Sequence, residues 1–146
     1  VRGGVRTARL TGVDTMQLLD HVSISVTDIN AARAFYDAVM RALDAVKVYD
    51  RVDAVGYGER CSADDTQSTC IAIYPDPAPV GGGRRHRCFK APTRAHVDAF
   101  FAAGLASGGR SMGEPGLRSQ YHRDYYAAFL VDPDGNHVEA VCHAAG

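Results

Sequence analysis

Moved along itself by 65 residues, this sequence meets its own pattern again. His21 falls on His86, Ala34 on Ala99, Phe35 on Phe100, Tyr36 on Phe101, Ala38 on Ala103 and Met40 on Leu105. The same offset aligns strand starts and helix limits, which marks an internal duplication. A fold for this chain must be buildable twice from one short unit, with the two copies burying apolar faces together. The 146 residues have room for one domain, or for two small modules sharing a core.

The unit can be read from its periodicities. "LLDHVSISV" alternates as a strand, with Val22, Ile24 and Val26 on one face and His21, Ser23 and Ser25 on the other. Asp28 caps a helix, "INAARAFYDAVMRAL", whose Ile29, Ala32, Phe35, Tyr36, Val39, Met40 and Leu43 recur at helical spacing. Short strands are expected around 46–49, 54–57 and 69–74, completing βαβββ. "YPDPAPVGGGRR" then breaks the pattern as a linker. After it "HRCFKAP" restarts a strand and Thr93 caps a second helix, with Val97, Phe100, Phe101 and Leu105 as its apolar stripe, before Gly108 and Gly109 end it. A strand near Arg110, a loop rich in Gly, Pro and Tyr, and a closing hairpin complete the second copy. The fold class is α+β, with module 1 over about 18–75 and module 2 over about 85–143.

Charge and hydropathy exclude several functions. A net charge of -1 offers no basic field for a phosphate backbone, so nucleic acid is not an expected partner. No apolar run approaches the roughly 20 residues of a membrane span. The opening "VRGGVRTARLTGVDTM" is basic but lacks an apolar segment, so it does not read as a signal peptide, and a cytoplasmic location is expected. Met16 stands directly before the first periodic segment, which reads residues 1–15 as an upstream extension. Cys61, Cys70, Cys88 and Cys142 are scattered without a C-x-x-C pair and are expected to be free thiols.

The closing hairpin, "YYAAFLVDPDGNHVEAVCH", turns at Asp132-Pro133-Asp134-Gly135, where proline fixes φ and glycine accepts a positive one. Beyond the turn Val138, Ala140 and Cys142 share one face and His137, Glu139 and Val141 the other. Glu139 is thus a carboxylate where an apolar residue is expected. An exposed edge strand would carry it at no cost. Just before the hairpin, "LRSQYHRDYY" gathers Arg118, Tyr121, His122, Tyr125 and Tyr126. Aromatic rings with polar tips suit a pocket wall for an oxygenated ligand, and Tyr or His can transfer a proton; ordinary packing of a surface loop is the alternative. Tyr126, nearest the hairpin, is the first choice for a catalytic contact, with Tyr121 second and His122 beside them. Arg118 and Tyr125 are assigned to substrate binding. His96, His137 and His143 look expendable.

Two tandem βαβββ modules, a histidine opening the first strand of each, the "DPDGN" turn and a glutamate on the final strand resemble the vicinal oxygen chelate superfamily. That group includes glyoxalase I, fosfomycin-resistance proteins, bleomycin-binding proteins and extradiol dioxygenases. The resemblance covers residues 18–143 and is strongest in "LDHVSISVTDINAARAFYDAV", "APTRAHVDAFFAAGLASGGR" and "GEPGLRSQYHRDYYAAFLVDPDGNHVEAVCH". It implies a cupped mixed sheet with helices on its convex side and one divalent metal ion on its concave face, with His21, His86 and Glu139 as ligands. Two imidazoles and one carboxylate suit Zn, Mn, Fe, Ni or Co, and leave positions for a substrate with two vicinal oxygens. Glyoxalase I-like members bring another carboxylate on the fourth strand. Here that strand reads "TCIAIYPDP", with no acid before Asp76, which favours a three-ligand centre. Arg87 is expected to turn to the helix side, and Cys88 to share the face of His86. The implied function is a metal-dependent lyase, isomerase, transferase or dioxygenase acting on a small molecule. The alternative is a metal-free binding protein of the bleomycin-resistance type; a zinc-stabilised structural domain would need a fourth ligand. A homodimer is expected, an arrangement in which modules can be exchanged between chains.

Overall fold

The computed structural model describes residues 18–78 and 86–146. The extension read over 1–15 and the glycines of the linker lie outside the described residues. The elements run β1 (His21–Val26), α1 (Ile29–Ala42), β2 (Lys47–Arg51), β3 (Ala54–Gly58), β4 (Cys70–Pro75), β5 (His86–Lys90), α2 (Arg94–Ala106), β6 (Arg110–Leu117), β7 (Tyr126–Val131) and β8 (His137–Cys142). Both halves are βαβββ, as the repeat requires. Module 1 forms a sheet in the order β1-β4-β3-β2 and module 2 one in the order β5-β8-β7-β6. β1 and β4 run parallel, as do β5 and β8, and every other pairing is antiparallel. The mixed sheet therefore comes as two four-stranded sheets, one to each module.

The helices begin and end where the local chemistry directs. The Asp28 carboxylate accepts from the amides of Asn30 and Ala31 at 2.9 and 3.0 Å, capping α1. Thr93 caps α2 by accepting from the His96 amide. α1 turns a full stripe inward, burying Ala32, Phe35, Tyr36, Val39 and Met40. α2 departs from its copy. Val97 and Phe100 are buried, but Leu105, expected in the stripe, is 44% exposed, and Gly104 is buried instead. A Cβ at Gly104 would stand 2.3 Å from Leu130 Cδ1, with Val39 and Phe35 close behind, so α2 sits on α1 and β7 at a distance that only glycine permits. One hydrophobic cluster runs through both modules, from Ile24 and Val26 to Val138 and Ala140.

Polar contacts lock the two modules together at the "DPDGN" turn. Asp132, only 1% exposed, accepts from the Tyr36 hydroxyl of α1 at 2.8 Å and from the Asn136 side chain at 2.9 Å. Its other oxygen accepts from the amides of Asp134 and Asn136 at 2.9 and 2.8 Å. Asn136 also donates to the Ser25 carbonyl at 3.3 Å, and Asp134 accepts from the Thr27 hydroxyl at 2.5 Å and from the Thr27 amide. Burial, then the neighbouring Asp132 carboxylate, push the Tyr36 hydroxyl well above its ordinary range, so it donates at any working pH.

Two outcomes follow for stability. Tyr36→Phe removes a donor from a sealed carboxylate and should destabilise the fold by about 1–3 kcal/mol in urea unfolding. Asp37 accepts from Tyr57 at 2.7 Å and Lys47 at 3.0 Å. Burial alone would raise its carboxyl, but those hydrogen bonds and the charges of Lys47 and Arg41 outweigh it and hold the group below the usual carboxylate range. A depressed folded value stabilises the fold above the unfolded carboxyl's range, and the contribution disappears as pH falls through the folded value. Asp37→Asn should therefore flatten the stability curve on the acid side of pH ~4, where wild-type melting temperature should fall more steeply.

Candidate functional site

Strand register decides which side chains meet. β8 lies between β5 and β7, with Glu139 opposite Cys88 on one side and Phe129 on the other. Glu139 is only 3% exposed, so an exposed edge does not account for it. The Tyr125 hydroxyl donates to Glu139 Oε1 at 2.6 Å. Oε2 faces His86 Nε2 at 3.6 Å, beyond hydrogen-bonding reach, and no Lys or Arg pairs with this carboxylate among the described residues. Burial, then the hydrogen bond to Glu139, push the Tyr125 hydroxyl up, so it remains a donor. Cys88, on the face of His86 as expected, is an exposed residue whose thiol is turned to the sheet: desolvation there, then the Glu139 charge and a hydrogen bond to that carboxylate, push it up to about 12. It is a protonated thiol at neutral pH.

The aromatic loop divides between the two faces of sheet 2. Tyr125 shares the face of Glu139. Tyr126, one residue on, faces α2, where its hydroxyl donates to Asp98 at 2.7 Å and Arg94 lies over its ring. The structure thus does not bring Tyr126, the first choice from sequence, to Glu139. Tyr121 packs on Tyr125 with ring centroids 4.8 Å apart, and His122 meets it edge-on. His143, which looked expendable, belongs to the same cluster: its Nδ1 lies 2.8 Å from His122 Nε2 and its ring meets Tyr125 edge-on. Arg118 lies over Phe129, beside Glu139, with its guanidinium donating to the carbonyls of Glu114 and Leu117. Arg87 takes the inward side of β5, as expected, and reaches the Ser23 carbonyl on β1.

His21 occupies the outward face of β1, with its Nδ1 2.7 Å from Asp20 Oδ1. A carboxylate only accepts, so Nδ1 is the donor in this contact and Nε2 is the nitrogen that Asp20 leaves free to face a ligand. Among the described residues no three His, Cys, Asp or Glu side chains converge as a metal-holding group, so His21 does not join His86 and Glu139 within the chain. The matching registers also locate the missing fourth carboxylate. His21 pairs with Cys70 and His86 with His137, so Ala72 in module 1 holds the place of Glu139 in module 2.

This topology and this site have relatives. A profile of the glyoxalase/bleomycin resistance protein/dioxygenase superfamily matches residues 18–140. The chain belongs to that superfamily. Among solved structures of its fold, a glyoxalase/bleomycin resistance protein from Albidiferax ferrireducens is 29% identical, with a TM-score of 0.72 over 88% of this chain and 100% of that one. A superfamily enzyme from Burkholderia phytofirmans is 21% identical, with a TM-score of 0.64 over 86% and 98%. A mutant of the fosfomycin resistance protein FosX from Listeria monocytogenes, complexed with Mn(II) and 1S,2S-dihydroxypropylphosphonic acid, is 17% identical with a TM-score of 0.61, over 90% and 93%. No curated protein matches the chain. None of the described helices is long and apolar enough to cross a membrane.

The contact between Tyr125 and Glu139 can be tested in this superfamily member without any ligand. In metal-free protein Tyr125→Phe should cost about 1–3 kcal/mol of stability, because it strips the donor from a buried carboxylate oxygen. Placed on Glu139→Gln the same change should cost less. A double-mutant cycle in urea should therefore show coupling of about 1 kcal/mol, and additive effects would mean that the two groups do not act together.

Proposed function

We propose that the chain is a divalent-metal-dependent enzyme acting on a small molecule with two vicinal oxygens, with His86 and Glu139 supplying two ligands. Glu139 carries this reading. It is a buried carboxylate with one oxygen fixed by Tyr125 and the other directed at an imidazole nitrogen too distant for a hydrogen bond. Buried charges are paired or coordinate metals, and a nitrogen and an oxygen held like this suit Zn, Mn, Fe, Ni or Co. Bound there, such an ion would supply Lewis-acid polarisation of the substrate's oxygens.

The chain's own groups have separable tasks. Tyr125 holds the rotamer of Glu139 and keeps its proton. Tyr121 and His122 pack against that tyrosine and wall the same face. Arg118, lying over Phe129 on that face, is placed to attract an anionic group of the substrate. His21 supplies the third ligand through Nε2. Since His21 is turned to Asp20 rather than to Glu139 in the single chain, it comes from a second copy, and the active form is a homodimer.

Metal content should be one ion per chain in wild-type protein, and close to none in His86→Ala or Glu139→Gln, by elemental analysis of refolded, dialysed samples. Subunit mixing tests the dimer. His21→Ala and Glu139→Gln chains, each inactive for metal alone, should regain one site per mixed dimer when unfolded together and refolded. No recovery would place all three ligands on one chain; full metal content in either single variant would remove the triad.

A further inference from the structure

Edge strands β1 and β5 flank an open cleft of about 780 Å³ whose floor is the C-terminal end of α1. Its apolar walls include Val22, Met40, Leu43, Ile71 and Phe89. Arg87 and Lys90 also line it, and among the described residues no Asp or Glu does. Neither cation has an ion-pair partner among the described residues. Arg87 is the less satisfied of the two: among the described residues its Nη1, sealed from solvent, has no hydrogen-bond partner, and its Nη2 reaches the Ser23 carbonyl at 3.5 Å. A half-buried guanidinium normally finds an anion. Lys90 also borders a neighbouring hollow carrying Glu59 and Asp65, which leaves Arg87 as the principal anchor.

We infer that this cleft binds a monoanionic amphiphile, a carboxylate carrying an apolar body of roughly eight carbons or more, the charge near Arg87 and Lys90 and the body over Met40 and Leu43. The volume lies within the range of pockets that enclose drug-sized ligands, and exceeds what a two- or three-carbon acid would fill. Apolar walls supply affinity in proportion to the area covered, and the unpaired cations select the sign of the head group. The site shares His86 with the candidate metal centre but does not depend on a metal, so it stands if that reading fails.

Calorimetry on chelator-treated, metal-free protein tests it with hexanoate, octanoate and 1-octanol. Octanoate should bind one to one, and about tenfold more tightly than hexanoate, from a gain of roughly three- to fourfold per methylene. 1-Octanol should bind at least tenfold more weakly than octanoate. Arg87→Met should weaken octanoate about tenfold or more while leaving 1-octanol unchanged, and the exposed Lys90→Met should weaken it severalfold. Ala45→Trp, which fills the floor, should remove both ligands. Circular dichroism melts confirm that each variant is folded. Absence of octanoate binding, equal affinity for octanoate and 1-octanol, affinity independent of chain length, or an octanoate affinity untouched in both cation variants would each overturn the assignment.

Discussion

Asp132 is the contact on which the arrangement of the two modules depends. A carboxylate so fully withdrawn from water is tolerated only when its lone pairs are filled, and here four donors fill them. Three come from its own turn. The fourth, Tyr36, comes from the first helix, 96 residues away along the chain. Ser25 and Thr27 add further bonds from the end of β1. The turn that joins β7 to β8 is therefore also the clasp that holds module 1 against module 2. Through it, the placement of β8, and with it Glu139, is tied to α1.

Duplication supplied two equivalent surfaces, and the chain has made them different. On module 2 the sequence of partners across the sheet is Cys88, Glu139, Phe129, with Tyr125 reaching over. At the matching place in module 1 stand Ser23, Ala72 and Gly56. The Tyr49 ring fills the space above Gly56, where any side chain would collide with it. Module 1 thus keeps a histidine at the start of its first strand but covers the place of the carboxylate with an aromatic ring. A four-donor centre with matching contributions from each half is not available to this chain. This physical asymmetry is what the absence of an acid in "TCIAIY" signified.

Most of the fold was legible because it follows local rules. Asp28 and Thr93 cap where short polar side chains cap, and β1 and β5 start at the two histidines that the repeat superposes. What was not legible depends on partners far along the chain. Leu105 fits the helical period of α2, but Leu130 and Phe35 press on Gly104, which rotates the packed face away from it. Which of Tyr125 and Tyr126 stands beside Glu139 is a matter of parity: one residue along a strand reverses the face, and nearness to the hairpin in sequence says nothing about side. Pairing across the turn fixes the side, since Phe129 opposes Glu139 and Tyr125 lies in phase with Phe129. His143 lies beyond the last strand, and its place beside His122 depends on a loop whose path no periodicity describes.

Two buried carboxylates in the same module make the last comparison. Asp132 has every strong acceptor direction used, and no cation is needed to keep it charged. Glu139 is nearly as buried, yet its donors are fewer and weaker: the Tyr125 hydroxyl at 2.6 Å and the Cys88 thiol beside it, with His86 Nε2 3.6 Å from Oε2, beyond a hydrogen bond. Burial of a charge costs free energy whether or not it is used, and a core position on a central strand would be filled more stably by an apolar side chain. The satisfied carboxylate is explained by architecture alone. Glu139, bonded by Tyr125 and the weaker Cys88 thiol and by no cation among the described residues, keeps lone pairs that the fold does not consume, and a ligand would use these.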